Sequence, residues 1–204
     1  MVIRVTKEVD ATDAAQIANL LELVDNATQL GLPVAVSGSI PCTGGSQLQQ
    51  VNIARFGVTE KLREHWRVFR QLWRALEIIA RRVMRSHGLV AIEWPLRCAY
   101  WRDGRVLRFL GRAPFSKAVV AACMHGMRPQ KAHAPDEFIG KEWRVSANCD
   151  EFVAALDLRC DGQHRHIVTE GGETSASAFY PLPFVEAIHR QLAAWALRRR
   201  TSTT

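Results

Sequence analysis

Between Thr59 and Ser86 the chain carries one long helical pattern, closed by His87-Gly88, and no other stretch constrains the fold as strongly. At 100° per residue, Arg63, Arg67, Arg70, Arg74, Arg81 and Arg85 fall within an arc of about 60°. Leu62, Trp66, Phe69, Leu76 and Val83 gather on the opposite side. Such a helix lays its apolar side on a core and turns a basic stripe outward. The stripe is about 33 Å long, close to the advance of one turn of a duplex. Glu64 and Glu77 stand at helical spacing from it, so two readings stay open: a solvated, partly neutralised face, or a surface that meets phosphates.

On either side of this helix, short β-branched runs alternate with longer helical patterns, the signature of βα units. Val2–Thr6 reads as a strand. Thr12 or Asp13 caps a helix whose Ile17, Leu20, Leu21 and Val24 share one face, and Gly31-Leu32-Pro33 stops it. Val34–Ser37 is a buried-type strand, followed by a Gly- and Ser-rich loop from Gly38 to Ser46 and a polar stretch; Leu89–Ile92 is the strand after the long helix. Further on, the pattern predicts a short helix near Arg105–Leu110, strands at Ala118–Ala122 and near Trp143–Ala147, and a helix from Asp150 to Leu158. Arg128–Pro135 is polar enough for a mobile loop. The last helix has Pro183 in its first turn, an apolar stripe of Phe184, Ile188, Leu192 and Trp195, and Arg198-Arg199-Arg200 at the negative end of its dipole. The expectation is one α/β domain over residues 1–200, with a mostly parallel sheet flanked by helices, and a disordered tail at 201–204.

Composition narrows the class of partner. Of 204 residues 48% are apolar and 23% charged, the balance of a globular chain. No apolar run approaches the roughly 20 residues needed to span a bilayer, and the N-terminus does not read as a signal peptide. The expected setting is therefore intracellular, nuclear or cytoplasmic, with no membrane contact. Five scattered cysteines, an odd number, fit reduced thiols better than a disulfide framework. Lys plus Arg outnumber Asp plus Glu by 27 to 20, mostly through arginine. That excess suits nucleic acid, and it equally suits mere solubility.

In an open parallel sheet ligands bind at the carboxyl ends of strands. Two such ends stand out here: Ser39-Ile40-Pro41-Cys42-Thr43-Gly44-Gly45-Ser46 and Glu93-Trp94-Pro95. A cysteine in a proline- and glycine-shaped loop, opposite a carboxylate on a second strand, can support nucleophilic chemistry if positive potential favours its thiolate; it can also be inert. A third constellation is Cys160-x3-His164-x-His166, with Cys123, His125 and Cys149 on other loops. Two histidines and a cysteine within seven residues suit zinc, with Cys123 or Cys149 as a fourth ligand. A solvated or phosphate-contacting His-Arg-His loop is the other reading.

The Ser39–Ser46 loop and the Glu-Trp-Pro turn resemble the Pro-Cys loop and the Glu-Asn-Val segment of cytosine-5 DNA methyltransferases. More closely, Ser39–Ser46 with Gln49 and Asn52, Glu93-Trp94-Pro95 with Cys98 and Trp101, Cys123–Gly126, Lys141–Asn148 and Cys160–His166 look like a methyltransferase-like domain of retrotransposon-like element polyproteins in protists and other eukaryotes. This resemblance covers nearly the whole chain. It implies a Rossmann-like methyltransferase-type fold, a nucleic-acid substrate with DNA as the first expectation, and a base held out of the stack. It makes Cys42 the candidate nucleophile toward carbon 6 of cytosine and Glu93 the acid at N3, with Ser46, Gln49 and the arginine stripe positioning the strand. It also implies S-adenosylmethionine, yet the glycine-rich turn that binds this cofactor does not precede Val2. The expectation is a chain that lacks the first cofactor-binding strand or strands, with Asp10 or Asp13 as the acidic residue at the adenine. A homodimer or an upstream segment would then complete the sheet. Two functions follow: a cytosine-5-type methyltransferase domain, or a non-enzymatic nucleic-acid-binding remnant of a mobile element. A metal-dependent nuclease is disfavoured, because no cluster of carboxylates stands out.

Overall fold

The structure, a computed structural model, describes residues 2, 3, 5, 10–129, 136–167 and 177–201. Among them lie six α-helices and six strands: α1 (Ala14–Gln29), β1 (Ala35–Gly38), α2 (Gln47–Phe56), α3 (Glu60–Arg85), β2 (Leu89–Pro95), α4 (Gly104–Leu110), β3 (Ser116–Ala121), β4 (Glu137–Ile139), β5 (Glu142–Ala147), α5 (Asp150–Ala154), β6 (Arg165–Ile167) and α6 (Leu182–Thr201). The fold is mixed α/β. The cap residues explain where two of the helices begin. Asp13 accepts from the Ala15 N–H at the start of α1, and the Thr59 hydroxyl accepts from the Leu62 N–H, 3.2 Å away, at the start of α3.

Four strands form the main sheet in the order β1-β2-β5-β3, and β4 pairs with β6 in a second, two-stranded sheet. The expected mostly parallel sheet is mixed. β1 and β2 run parallel, whereas β5 lies between β2 and β3 and is antiparallel to both. The reason lies in the connection: β3 reaches β5 through a short 3-10 turn at Ala122–His125 and through β4, and among its described residues no α-helix carries the chain back across the sheet. Trp143 thereby sits opposite both Pro95 and Val120.

Each face of the sheet buries its own core. Val90, Ile92 and Trp94 of β2 pack with Phe69, Trp73, Ala80 and Val83 of α3 and with Val106 and Phe109 of α4. Leu89 and Ala91 point the other way, into a core with Trp143 and Val145 of β5, Phe152 and Val153 of α5, and Phe184 and Trp195 of α6. β2 is thus covered on both sides, which is why it reads as a nearly continuous apolar run. The expected apolar stripe of α6 meets the second of these cores, and Trp66, Phe69, Leu76 and Val83 of α3 meet the first; of the expected face of α1 only Val24 is buried there.

Several expectations are corrected. Val2, Ile3 and Val5 are exposed and outside any strand, and no strand among the described residues pairs with them; Arg4 and Thr6 lie outside the described residues. The polar stretch after Ser46 is the helix α2, none of whose side chains is buried. β2 continues through Pro95, so Glu93 lies within the strand rather than after it. The helix expected over Asp150–Leu158 ends at Ala154; Leu158 instead bridges to Val120, its N–H donating to the Val119 carbonyl and its carbonyl accepting from the Ala121 N–H. That segment covers the β3 edge of the sheet, whereas β1 is the opposite outer strand. Most of the expected Arg128–Pro135 loop and residues 202–204 of the expected tail lie outside the described residues. Among the described residues no helix is long and apolar enough to cross a membrane.

Candidate functional site

The chain leaves β1 at Gly38 and runs through Ser39, Ile40 and Pro41 to Cys42, then turns through the 3-10 segment Thr43–Gly45 into α2. This loop is held from behind. Trp94 Nε1 donates to the Ile40 carbonyl at 2.8 Å, and the Gly44 N–H donates to the Tyr100 hydroxyl at 3.1 Å. Two glycines are closely packed: a Cβ at Gly38 would lie 2.4 Å from the Leu76 side chain of α3, and one at Gly45 would lie 2.7 Å from Cys98 Sγ and 2.8 Å from the Tyr100 ring. The supporting wall is aromatic. Phe69 and Tyr100 stack with centroids 3.6 Å apart, and Trp94 meets Phe69, Tyr100 and Trp101 edge to face.

In front of the loop lies a cavity of about 850 Å³. Cys42, Ser46 and Gln49 line it from the loop and α2, Glu93 from β2, Lys141 from the turn before β5, and Tyr180 from the segment before α6. The fold therefore brings four of the expected site residues, Cys42, Glu93, Ser46 and Gln49, into one space. Glu93 Oε2 accepts from the Ser39 hydroxyl at 2.8 Å and from the Tyr180 hydroxyl. Glu93 Oε1 is buried and has no partner among the described residues. Burial lifts this carboxyl above its ordinary value, against the hydrogen bonds from Tyr180 and Ser39 and the nearby Lys141 charge, which pull it down. Lys141 donates to the Ser177 carbonyl at 2.6 Å, stands over the Trp143 ring, and is itself pushed down by burial.

The thiol of Cys42 departs from the expectation of a readily formed thiolate. Burial pushes it up; the Lys141 charge opposes this and the Glu93 charge adds to it. Behind it, burial raises the Cys98 thiol to about 12. All five cysteines are free, as the odd count suggests.

The remaining expected residues lie elsewhere. Asp10 accepts from the N–H and hydroxyl of Thr12, and Asp13 caps α1. Neither lines the cavity. The arginine stripe forms along α3, but its charges are not equally available. Arg63 pairs with Glu60 at 2.8 Å and Arg67 with Glu64 at 2.6 Å; Arg81 pairs with Glu77 at 2.5 Å and also covers the Phe109 ring. Arg70, Arg74 and Arg85 are exposed, and no ion pair joins them to another described residue. Arg82, outside the stripe, pairs with Asp25 of α1. Cys160, His164 and His166 converge, joined by Cys123. Cys149 does not join them: it precedes α5, and its thiol donates to the Glu151 carboxylate.

Ser39, Lys141 and Tyr180 carry roles at the cavity that spacing did not assign. Ser39 and Lys141 stood at the ends of segments already singled out, whereas nothing local marks Tyr180. Set against known proteins, the chain matches no family model, no curated protein and no solved structure.

Proposed function

We propose that this chain is a methyltransferase-like domain acting on nucleic acid, and that the cavity receives a pyrimidine extruded from the stack for cytosine-5-type chemistry. One observation carries this reading: Cys42, in the loop that follows β1, and Glu93, on the parallel neighbour β2, share a single cavity in which burial favours the carboxylic acid form of Glu93. An acid of that kind can give a proton to a ring nitrogen as charge develops there. In the proposed step Cys42 Sγ bonds to C6 while the thiol proton leaves to solvent. The C5=C6 electron pair moves into the ring, and N3 takes the proton of Glu93. Lys141 supports the sulfur through its charge, and Tyr180 and Ser39 fix the carboxyl. If C5 then gains a proton from water and loses its own, collapse of the adduct returns cytosine, thiol and protonated Glu93, with only the C5 hydrogen exchanged.

S-adenosylmethionine is the methyl donor that the resemblance implies. Asp10 and Asp13 do not fit it: their carboxylates serve the turn that starts α1 rather than a nucleoside. The proposed chemistry for the described residues therefore extends to addition to the ring and exchange at C5, without methyl transfer.

The test needs no methyl donor. A single-stranded oligonucleotide containing cytosine, incubated with the protein in heavy water, is expected to exchange its C5 hydrogen, read by mass spectrometry, and Cys42→Ser is expected to abolish exchange. Binding without exchange would overturn the catalytic reading and leave a nucleic-acid-binding module, which the raised Cys42 thiol favours as the second reading.

Binding itself has a separate test at α3. Because Arg70, Arg74 and Arg85 are the stripe members without ion pairs, reversing all three to Glu is expected to weaken duplex binding for every sequence alike. The slope of log affinity against log salt should flatten by about 2 to 3. Unchanged affinity and slope would make the stripe a solvated face.

A further inference from the structure

We infer that Cys123, Cys160, His164 and His166 form a structural zinc site that fastens the small β4–β6 sheet to the main one. The four side chains come from three places: Cys123 from the turn after β3, Cys160 from the loop after the Leu158 bridge, and His164 and His166 from the approach to β6 and β6 itself. Their ligand atoms all lie within 4.8 Å of one another. Cys160 Sγ is 3.6 Å from His164 Nε2 and 3.5 Å from His166 Nε2, and the two ring nitrogens are 3.0 Å apart. A tetrahedral zinc with ordinary Zn–S and Zn–N bonds sets about 3.5 Å between sulfur and nitrogen and about 3.3 Å between nitrogens. The two sulfur–nitrogen spacings match that edge, and the nitrogen pair, at 3.0 Å, lies slightly inside its own.

Hydrogen bonding alone accounts poorly for this triangle. Each ring Nε2 offers one in-plane lone pair or one hydrogen, and neither can serve two partners on different sides. A common centre that takes one lone pair from each atom satisfies all of them. The surroundings point the same way. His164 Nδ1 lies 3.5 Å from Asp161 Oδ1, a carboxylate on the far nitrogen that directs Nε2 toward a metal. The Gly162 N–H donates to Cys160 Sγ at 3.3 Å, from a residue whose φ of +73° closes the turn. Cys123 is buried, and the His164 ring packs on Phe138 with centroids 4.7 Å apart.

The fold gives such a metal something to hold. β4 and β6 are three residues each, and a two-stranded sheet of that size is marginal without support. The site also braces the cavity. The Ala122 N–H, next to Cys123, donates to the Lys141 carbonyl at 2.8 Å, and a Cβ at Gly140 would lie 3.1 Å from His166 Cβ. Metal at the four ligands would thus fix the backbone that carries Lys141. Four protein ligands leave no open position, so the role is structural rather than catalytic.

The whole chain, purified without chelator, is expected to contain about one equivalent of zinc by mass spectrometry. Removing it with a strong chelator should lower Tm by several degrees, and adding zinc back should restore it. Cobalt substitution separates ligation from folding: the intact chain should show the visible bands of tetrahedral cobalt and a near-ultraviolet thiolate charge-transfer band. Cys160→Ser and His166→Asn should each lose the metal, while Cys149→Ser keeps it. Metal-free protein with unchanged Tm on zinc addition, or cobalt bound without a thiolate band, would overturn the inference.

Discussion

Trp94→Ala is expected to cost about 3–5 kcal/mol of stability and to unseat the Cys42 loop in the same stroke. The side chain is 1% exposed and touches the rings of Phe69, Trp73, Tyr100 and Trp101, so its removal leaves a large void at the centre of one core. It also deprives the Ile40 carbonyl, two residues before Cys42, of the indole N–H that anchors it. Trp94→Phe separates the two effects. The ring volume is largely kept while the donor is lost, which should cost about 1–3 kcal/mol. Urea unfolding gives both values. Alkylation of Cys42, followed by mass spectrometry under native conditions, should be faster in Trp94→Phe than in the parent, because the loop has lost its tether. Equal alkylation rates would show that Tyr100 and the glycine contacts hold the loop by themselves.

The strand that carries this indole also explains why part of the site is legible in the sequence. Cys42 and Glu93 stand out because strand ends in an α/β chain can be read from apolar runs bounded by turn residues, and the parallel pairing of β1 with β2 sets those two ends side by side. α3 and α6 are legible for a related reason: their length lets a period of 3.6 repeat several times, and Thr59 and Pro183 mark their starts. Where the signal is short or non-local it fails. β4 and β6 have three residues each, too few for any period, and α2 buries none of its side chains, so no apolar stripe announces it.

Strand direction is harder to read. β5 is recognisable as a strand from its own residues, but whether it enters parallel or antiparallel depends on how the chain returns from β3. Lys141 and Tyr180 follow from that topology, since one sits on the turn before β5 and the other on the approach to α6. Neither has a local pattern that separates it from an ordinary surface residue. Cys123 is a similar case: the triplet of Cys160, His164 and His166 is visible in the sequence, but only the turn after β3 selects Cys123 over Cys149. Asp10 and Asp13 illustrate the opposite hazard, because the residue type that contacts a ribose or adenine is also the type that caps a helix.

Glu93→Gln is expected to move stability and activity in opposite directions. Burial raises this carboxyl above its ordinary value of 4.5, so the folded chain keeps a proton that the unfolded chain has already released. The stability this contributes is fully present below pH 4.5 and is lost as pH rises through the folded value. Glutamine keeps the shape and cannot ionise; its carbonyl can still accept from Ser39 and Tyr180, the partners of Glu93 Oε2. Parent and variant should therefore unfold alike at pH 4, and the variant should become the more stable of the two at pH 8, measured by urea midpoints across that range. The C5 exchange of cytosine should instead fall by about 10² to 10⁴, because an amide cannot give N3 the proton that the addition requires. Oligonucleotide affinity should change little, since the proton is demanded only as charge develops on the ring. A purely structural Glu93 would give stabilisation with exchange intact. Loss of both stability and exchange at pH 8 would mean that the carboxylate, not the acid, is the form the cavity was built around.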